Sequence, residues 1–174
     1  MTGTAAFSAD RRAFLRGRPA APPPLRPPWA ISEARFVDLC TGCDDCVTAC
    51  PEHVLGRGEG RYPLFDPQQG ECLFCRKCVD ACDTGALDGG LAGPWTIKAG
   101  IAPACLAQNG VTCFSCRDAC GEAAIRFRPA VGGALPELDL ARCTGCGACV
   151  GVCPVAAISL AIPDHAHGSE HAHG

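Results

Sequence analysis

The chain has 174 residues, among them 16 cysteines, 21 glycines and 15 prolines, with a formal charge of −3. Its hydrophobic fraction of 48% counts the cysteines, so the apolar core is modest, and small chains of this kind gain stability from metals, disulfides or a partner. Residues 1–30 lack the apolar run of a signal peptide, and no stretch approaches the roughly 18 apolar residues of a membrane span. These features predict a cytoplasmic chain without membrane insertion, where thiols stay reduced and clustered cysteines bind metal.

Residues 1–30 read as a Pro- and Arg-rich arm with too little periodic apolar content to pack alone. The cysteines then fall into four groups about 30 residues apart. The first is Cys40, Cys43, Cys46 and Cys50, and the second is Cys72, Cys75, Cys78 and Cys82. Around Gly-rich residues 56–60, Val54-Leu55-Gly56 and Tyr62-Pro63-Leu64-Phe65 suit short strands. Breakers from Asp88 to Pro94 join two halves. In the second half Trp95 to Ala99 suits an opening strand, and the third group is Cys105, Cys113, Cys116 and Cys120, with seven residues after its first cysteine instead of two. Ala124 to Arg128 and Ala134 to Leu138 read as paired strands, and the fourth group is Cys143, Cys146, Cys149 and Cys153. A short helical turn over Cys149 to Cys153 ends at Pro154, and Ala157 to Ile162 closes the half as a strand. Residues 164–174 form a His- and Gly-rich tail expected to be disordered.

The expected fold is therefore α+β: two tandem bacterial two-cluster ferredoxin-like modules, 31–88 and 89–163, between an extended arm and the tail. Three groups follow C-x2-C-x2-C-x3-C, in which the first three cysteines hold one 4Fe-4S cluster and the fourth serves its neighbour. Cys40, Cys43, Cys46 and Cys82 then hold one cluster, and Cys72, Cys75, Cys78 and Cys50 a second. Cys105, Cys113, Cys116 and Cys153 hold a third, the least secure because of its long loop, and Cys143, Cys146, Cys149 and Cys120 a fourth. A structural zinc site pairs C-x2-C units a dozen or more residues apart, and a disulfide knot needs an oxidising compartment, so neither alternative matches as well. With thiolate ligands and four oxidised clusters the net charge is roughly −11, which makes nucleic acid an unfavourable partner. Asp83, where Pro51 and Pro154 follow the last cysteine of other groups, either is tolerated or lowers a cluster potential.

Along its whole length the chain resembles the NapF family, ferredoxin-type accessory proteins of the periplasmic nitrate reductase system. The matching features are Arg11-Arg12-Ala13-Phe14-Leu15 with Gly17-Arg18, then Arg26-Pro27-Pro28-Trp29, then the first two cysteine groups, and then the long third loop leading into Ala124-Ile125-Arg126-Phe127-Arg128-Pro129. The resemblance implies a cytoplasmic protein that binds the catalytic molybdenum subunit of periplasmic nitrate reductase as a precursor and assists its maturation before export. Asp10 to Arg16 also resembles a twin-arginine export consensus, but the apolar region and cleavage site that complete such a signal do not follow.

A partner-docking arm that uses Phe14, Leu15 and Trp29 is the preferred reading of residues 1–30, against an export signal or a solvated basic tail. The competing function is a general electron-transfer polyferredoxin. An enzyme is not expected, because no nucleophile or paired carboxylate stands at useful spacing. His53 reads as a surface residue rather than a proton acceptor, and His165, His167, His171 and His173 as a solvated tail rather than a chelate.

Overall fold

The computed structural model describes residues 24–163, so the basic part of the arm before residue 24 and the His-rich tail lie outside the described residues. The described residues form short elements: helix α1 (Glu33–Leu39), single helical turns α2 (Asp45–Thr48), α3 (Lys77–Asp80), α4 (Ser115–Asp118) and α5 (Ala148–Gly151), and six strands. The strands are β1 (Leu55–Arg57), β2 (Pro63–Phe65), β3 (Lys98–Ile101), β4 (Ile125–Ala130), β5 (Gly133–Leu138) and β6 (Ile158–Ala161). All three sheets are antiparallel pairs, β1 with β2, β3 with β6 and β4 with β5. No described helix is long and apolar enough to cross a membrane.

The order helical turn, hairpin, helical turn occurs twice along the described residues. In the second half, β3 and β6 bring the two ends together, pairing Ile101 with Ile158 and Lys98 with Ala161. In the first half an isolated bridge between Ala30 and Leu87 does the same work. Within each half a hairpin links the two cysteine groups, β1–β2 in one and β4–β5 in the other. One buried cluster is centred on Phe36, Val54, Phe65 and Leu87, the other on Ala99, Ile125, Val150 and Ile158. Leu160 packs against both. The opening strand of the second half starts at Lys98, three residues beyond the expected start at Trp95, because Trp95 is drawn off by the aromatic rings of the first half.

Two features differ from the sequence reading. Helix α1 has no counterpart in it, yet Phe36 on α1 is fully buried and its ring lies 6.3 Å from that of Tyr62. The expected arm of residues 1–30 also does not hold as a unit, because its last residues, 24–30, are built into the fold. Leu25 accepts a hydrogen bond from the Phe65 N–H at 2.7 Å, continuing the β1–β2 hairpin. Arg26 pairs with Glu33 at 2.6 Å and lies over the rings of Phe36 and Tyr62. Pro27 and Pro28 are fully buried and Trp29 is 6% exposed. The Trp29 N–H donates to the Pro94 carbonyl at 2.6 Å and the Trp29 carbonyl accepts from Asp88 at 2.8 Å, so Trp29 sits between the two ends of the linker. Trp29 is therefore a core residue and not the free anchor of a docking arm.

Candidate metal centres

Each cysteine group wraps a loop around one helical turn. In the first group Gly42 and Asp44 take positive φ (66° and 71°), in the second Phe74 and Arg76 (53° and 66°), and in the fourth Gly145 and Gly147 (75° and 94°). These left-handed residues turn the chain between successive cysteines, so that thiols three residues apart in the loop converge instead of pointing along it. The third group differs. Phe114 has φ −129°, and the seven residues between Cys105 and Cys113 fold on themselves through a 3-10 turn, Ala107–Asn109. The Asn109 side-chain amide donates to the carbonyls of Pro103 and Cys105, each at 2.8 Å, which returns the chain to Cys113.

After the last cysteine of every group the third residue is again left-handed: His53, Gly85, Ala123 and Ala156 at φ 53°, 73°, 47° and 49°. The turn aims the next amide back at the thiol. Ala124 N–H donates to Cys120 Sγ at 3.3 Å and Ala157 N–H to Cys153 Sγ at 3.2 Å. Phe74 N–H reaches Cys72 Sγ at 3.4 Å and Ala99 N–H reaches Cys143 Sγ at 3.5 Å. Such bonds stabilise negative charge on sulfur and raise the potential of an iron centre bound there.

Four cavities result, open in part to solvent and spanning about 350, 350, 330 and 310 Å3 with that open space included. Cys40, Cys43, Cys46 and Cys82 line one, and Cys50, Cys72, Cys75 and Cys78 another. Cys105, Cys113, Cys116 and Cys153 line a third, and Cys120, Cys143, Cys146 and Cys149 the fourth. In every case three thiols come from one group and the fourth from its partner in the same half. Among the described residues no group of three or more Cys, His, Asp or Glu is gathered tightly enough for a single metal ion. Thiols spread around a void suit a polynuclear centre, whose several irons each take one sulfur.

The electrostatics agree with that donor set. Burial pushes the thiols of Cys46 and Cys72 up to about 11 and those of Cys78 and Cys149 up to about 12, and neighbouring cysteines add to the rise. Cys116 is raised for the same reasons. At Cys82 burial is outweighed by hydrogen bonds from the Thr84 hydroxyl and nearby amides, and the thiol is lowered. Four thiolates in one apolar cavity repel each other, so they ionise together only around a cationic core, and metal loading must release protons.

The sequence reading did not single out Asp44. Its carboxylate lies beside Cys43 on the wall of the first cavity, paired through Oδ2 with Arg57 and more distantly with Arg61, while Oδ1 is buried without a hydrogen-bond partner. Asp83, which it did single out, is exposed, so solvent screens its charge. His53 is exposed as well.

Residues 39–87 match the 4Fe-4S dicluster domain family and residues 136–159 the 4Fe-4S binding domain family. The third cysteine group lies between the two matched spans. The ferredoxin-type protein NapF of Escherichia coli (strain K12) is 41% identical over 92% of this chain and 99% of its own length. The chain belongs to the NapF family of ferredoxin-type proteins. NapF of Haemophilus influenzae is 39% identical over 78% of each chain. The methylamine utilization ferredoxin-type protein MauM of Methylobacillus flagellatus is 33% identical over 86% of this chain and 73% of its own. As a member of the NapF family the chain binds 4Fe-4S clusters, and its class is that of electron-transfer and accessory iron-sulfur proteins.

Proposed function

We propose that this protein is a four-cluster ferredoxin of two tandem modules, 31–88 and 89–163, acting in the cytoplasm on the catalytic molybdenum subunit of periplasmic nitrate reductase. It binds that subunit as a precursor and assists its maturation before export. The observation that carries the reading is the likeness to NapF of Escherichia coli over 99% of that protein's length, since it takes in the described arm residues and the long third loop as well as the cysteine motifs. The clusters supply one-electron chemistry; the chain's own part is to hold and tune them. Cys40, Cys43, Cys46 and Cys82 hold the first, and Cys50, Cys72, Cys75 and Cys78 the second. The third takes Cys105, Cys113, Cys116 and Cys153, and the fourth Cys120, Cys143, Cys146 and Cys149. Amides such as those of Ala124 and Ala157 brace the sulfurs.

An affinity pull-down of the holoprotein from anaerobic cytoplasm tests the partner. Recovery of one molybdoenzyme precursor is expected, and recovery of many redox proteins would instead favour a general electron carrier. That second reading has its own support in MauM, whose name ties the same scaffold to methylamine utilization.

The crossed ligands have a sharp consequence. Cys50→Ala is expected to disturb the cluster of the second group while the first keeps Cys40, Cys43, Cys46 and Cys82. Paramagnetic resonance of the reduced variant reads this directly. A disturbed first cluster beside an intact second one would refute the assignment.

A further inference from the structure

The halves do not meet in sequence order. The linker leads from the second cysteine group to the third, yet the contact between halves is made by the second and the fourth. The Cys72 N–H donates to the Cys146 carbonyl at 2.8 Å, main chain to main chain, between the first cysteine of one group and the second of the other. Trp95 clamps this point. Its ring lies 4.9 Å from Phe65 and 5.5 Å from Phe74 in the first half, and its indole N–H donates to the Thr144 carbonyl in the second at 2.8 Å. Gly147 completes the fit, because a Cβ there would stand 2.9 Å from the Phe65 ring, 3.0 Å from Pro67 and 3.2 Å from the Gly70 carbonyl. The absence of a side chain at Gly147 is what lets the two loops touch.

Within each half the turns carrying buried cysteines pack together, α2 with α3 (Cys46 and Cys78) and α4 with α5 (Cys116 and Cys149). From these contacts we infer that the Cys72–Cys146 contact is the electron bridge between the halves, giving a conduction order of first, second, fourth, third. The inference rests on the four-cluster reading above. The bridge runs from Cys146 Sγ through its own carbon atoms to the carbonyl, across one hydrogen bond, and through the Cys72 main chain to Cys72 Sγ. With clusters bound at both sites, one electron would pass across it between the group held by Cys72 and the group held by Cys146, one being oxidised as the other is reduced. No bond is made or broken and no proton moves. The third group, inserted and last in the path, is then an end of the chain, opposite the first.

The test is paramagnetic resonance of full-length holoprotein, loaded anaerobically and fully reduced with titanium(III) citrate. Reduced clusters in neighbouring sites broaden each other by spin coupling, and an isolated one gives a sharp signal. Cys113→Ser/Cys116→Ser, which empties the third site, is expected to leave no sharp signal, because first, second and fourth remain linked. Cys143→Ser/Cys149→Ser, which empties the fourth, is expected to leave the third isolated and sharp. The reverse pattern, or a sharp signal in both variants, overturns the bridge. Trp95→Ala keeps every ligand and every left-handed residue of the cysteine loops while removing the clamp between the halves, and it covers the case in which those variants do not fold. It should retain the iron of the unmodified protein but lose the coupling between halves, and an unchanged spectrum would overturn the proposal. Iron analysis of the unmodified protein separates the two levels: fewer than four clusters removes the four-cluster reading and the bridge with it, whereas four clusters with the wrong coupling removes the bridge alone.

Discussion

Trp29→Ala is expected to cost about 3–5 kcal/mol of stability, the range for truncating a large buried aromatic, and to lower the midpoint of thermal cluster loss by about 10 °C. The side chain is 6% exposed, edge-on to Phe74 at 6.4 Å, with the Arg76 guanidinium 5.3 Å above its ring. Phe74 and Arg76 are the two left-handed residues of the second group, so the indole braces the strained loop that presents Cys72, Cys75 and Cys78. Losing it should loosen that site first. Trp29→Phe, which keeps most of the packed surface, should cost far less. Absorbance at the cluster band against temperature checks both, and an unchanged midpoint in the alanine variant would show that residues 24–30 are an appendage after all.

Gly145→Ala is expected to be nearly as damaging, at about 3 kcal/mol from a left-handed backbone and overpacking together. Gly145 has φ +75°, and a Cβ would press on the Ile97 carbonyl oxygen and stand 3.0 Å from the Trp95 indole nitrogen. Both neighbours are fixed. Trp95 is held by its bond to Thr144, and Ile97 is 4% exposed. Because folding and metal binding are coupled, the loss should appear as missing iron at the fourth site, about a quarter of the total. Gly151→Ala is the control: its nearest atom would be 3.4 Å away, an ordinary contact, and its φ is not positive. Iron content within error of the parent for Gly145→Ala would show that the loop has slack the structure does not suggest.

The cysteine groups could be read from the sequence because their spacing is local, and the strands of the second half because alternation and breakers are local too. What stayed hidden depends on distant residues. Nothing in Arg26-Pro27-Pro28-Trp29 announces burial; it follows from Phe65, Phe74, Asp88 and Pro94, which are remote in the chain. Helix α1 is two turns around a single buried Phe36, too short for a period to show. Left-handed positions are advertised only by glycine, so Phe74, Arg76, Ala123 and Ala156 looked ordinary. Two aspartates near cysteines look alike on paper, yet Asp44 is folded under Arg57 and Asp83 faces water. The third group looked weakest for its long spacing, and the signal that could have rescued it was Asn109, a residue able to tie a loop to its own carbonyls.

The claim on which the rest depends is that all four thiol-lined cavities hold clusters, the third included. Iron and acid-labile sulfide per chain, measured on anaerobically reconstituted full-length protein, test it most directly. About 16 of each are expected, four per cluster; a reproducible value near 12 would mean that Cys105, Cys113, Cys116 and Cys153 stand around an empty site.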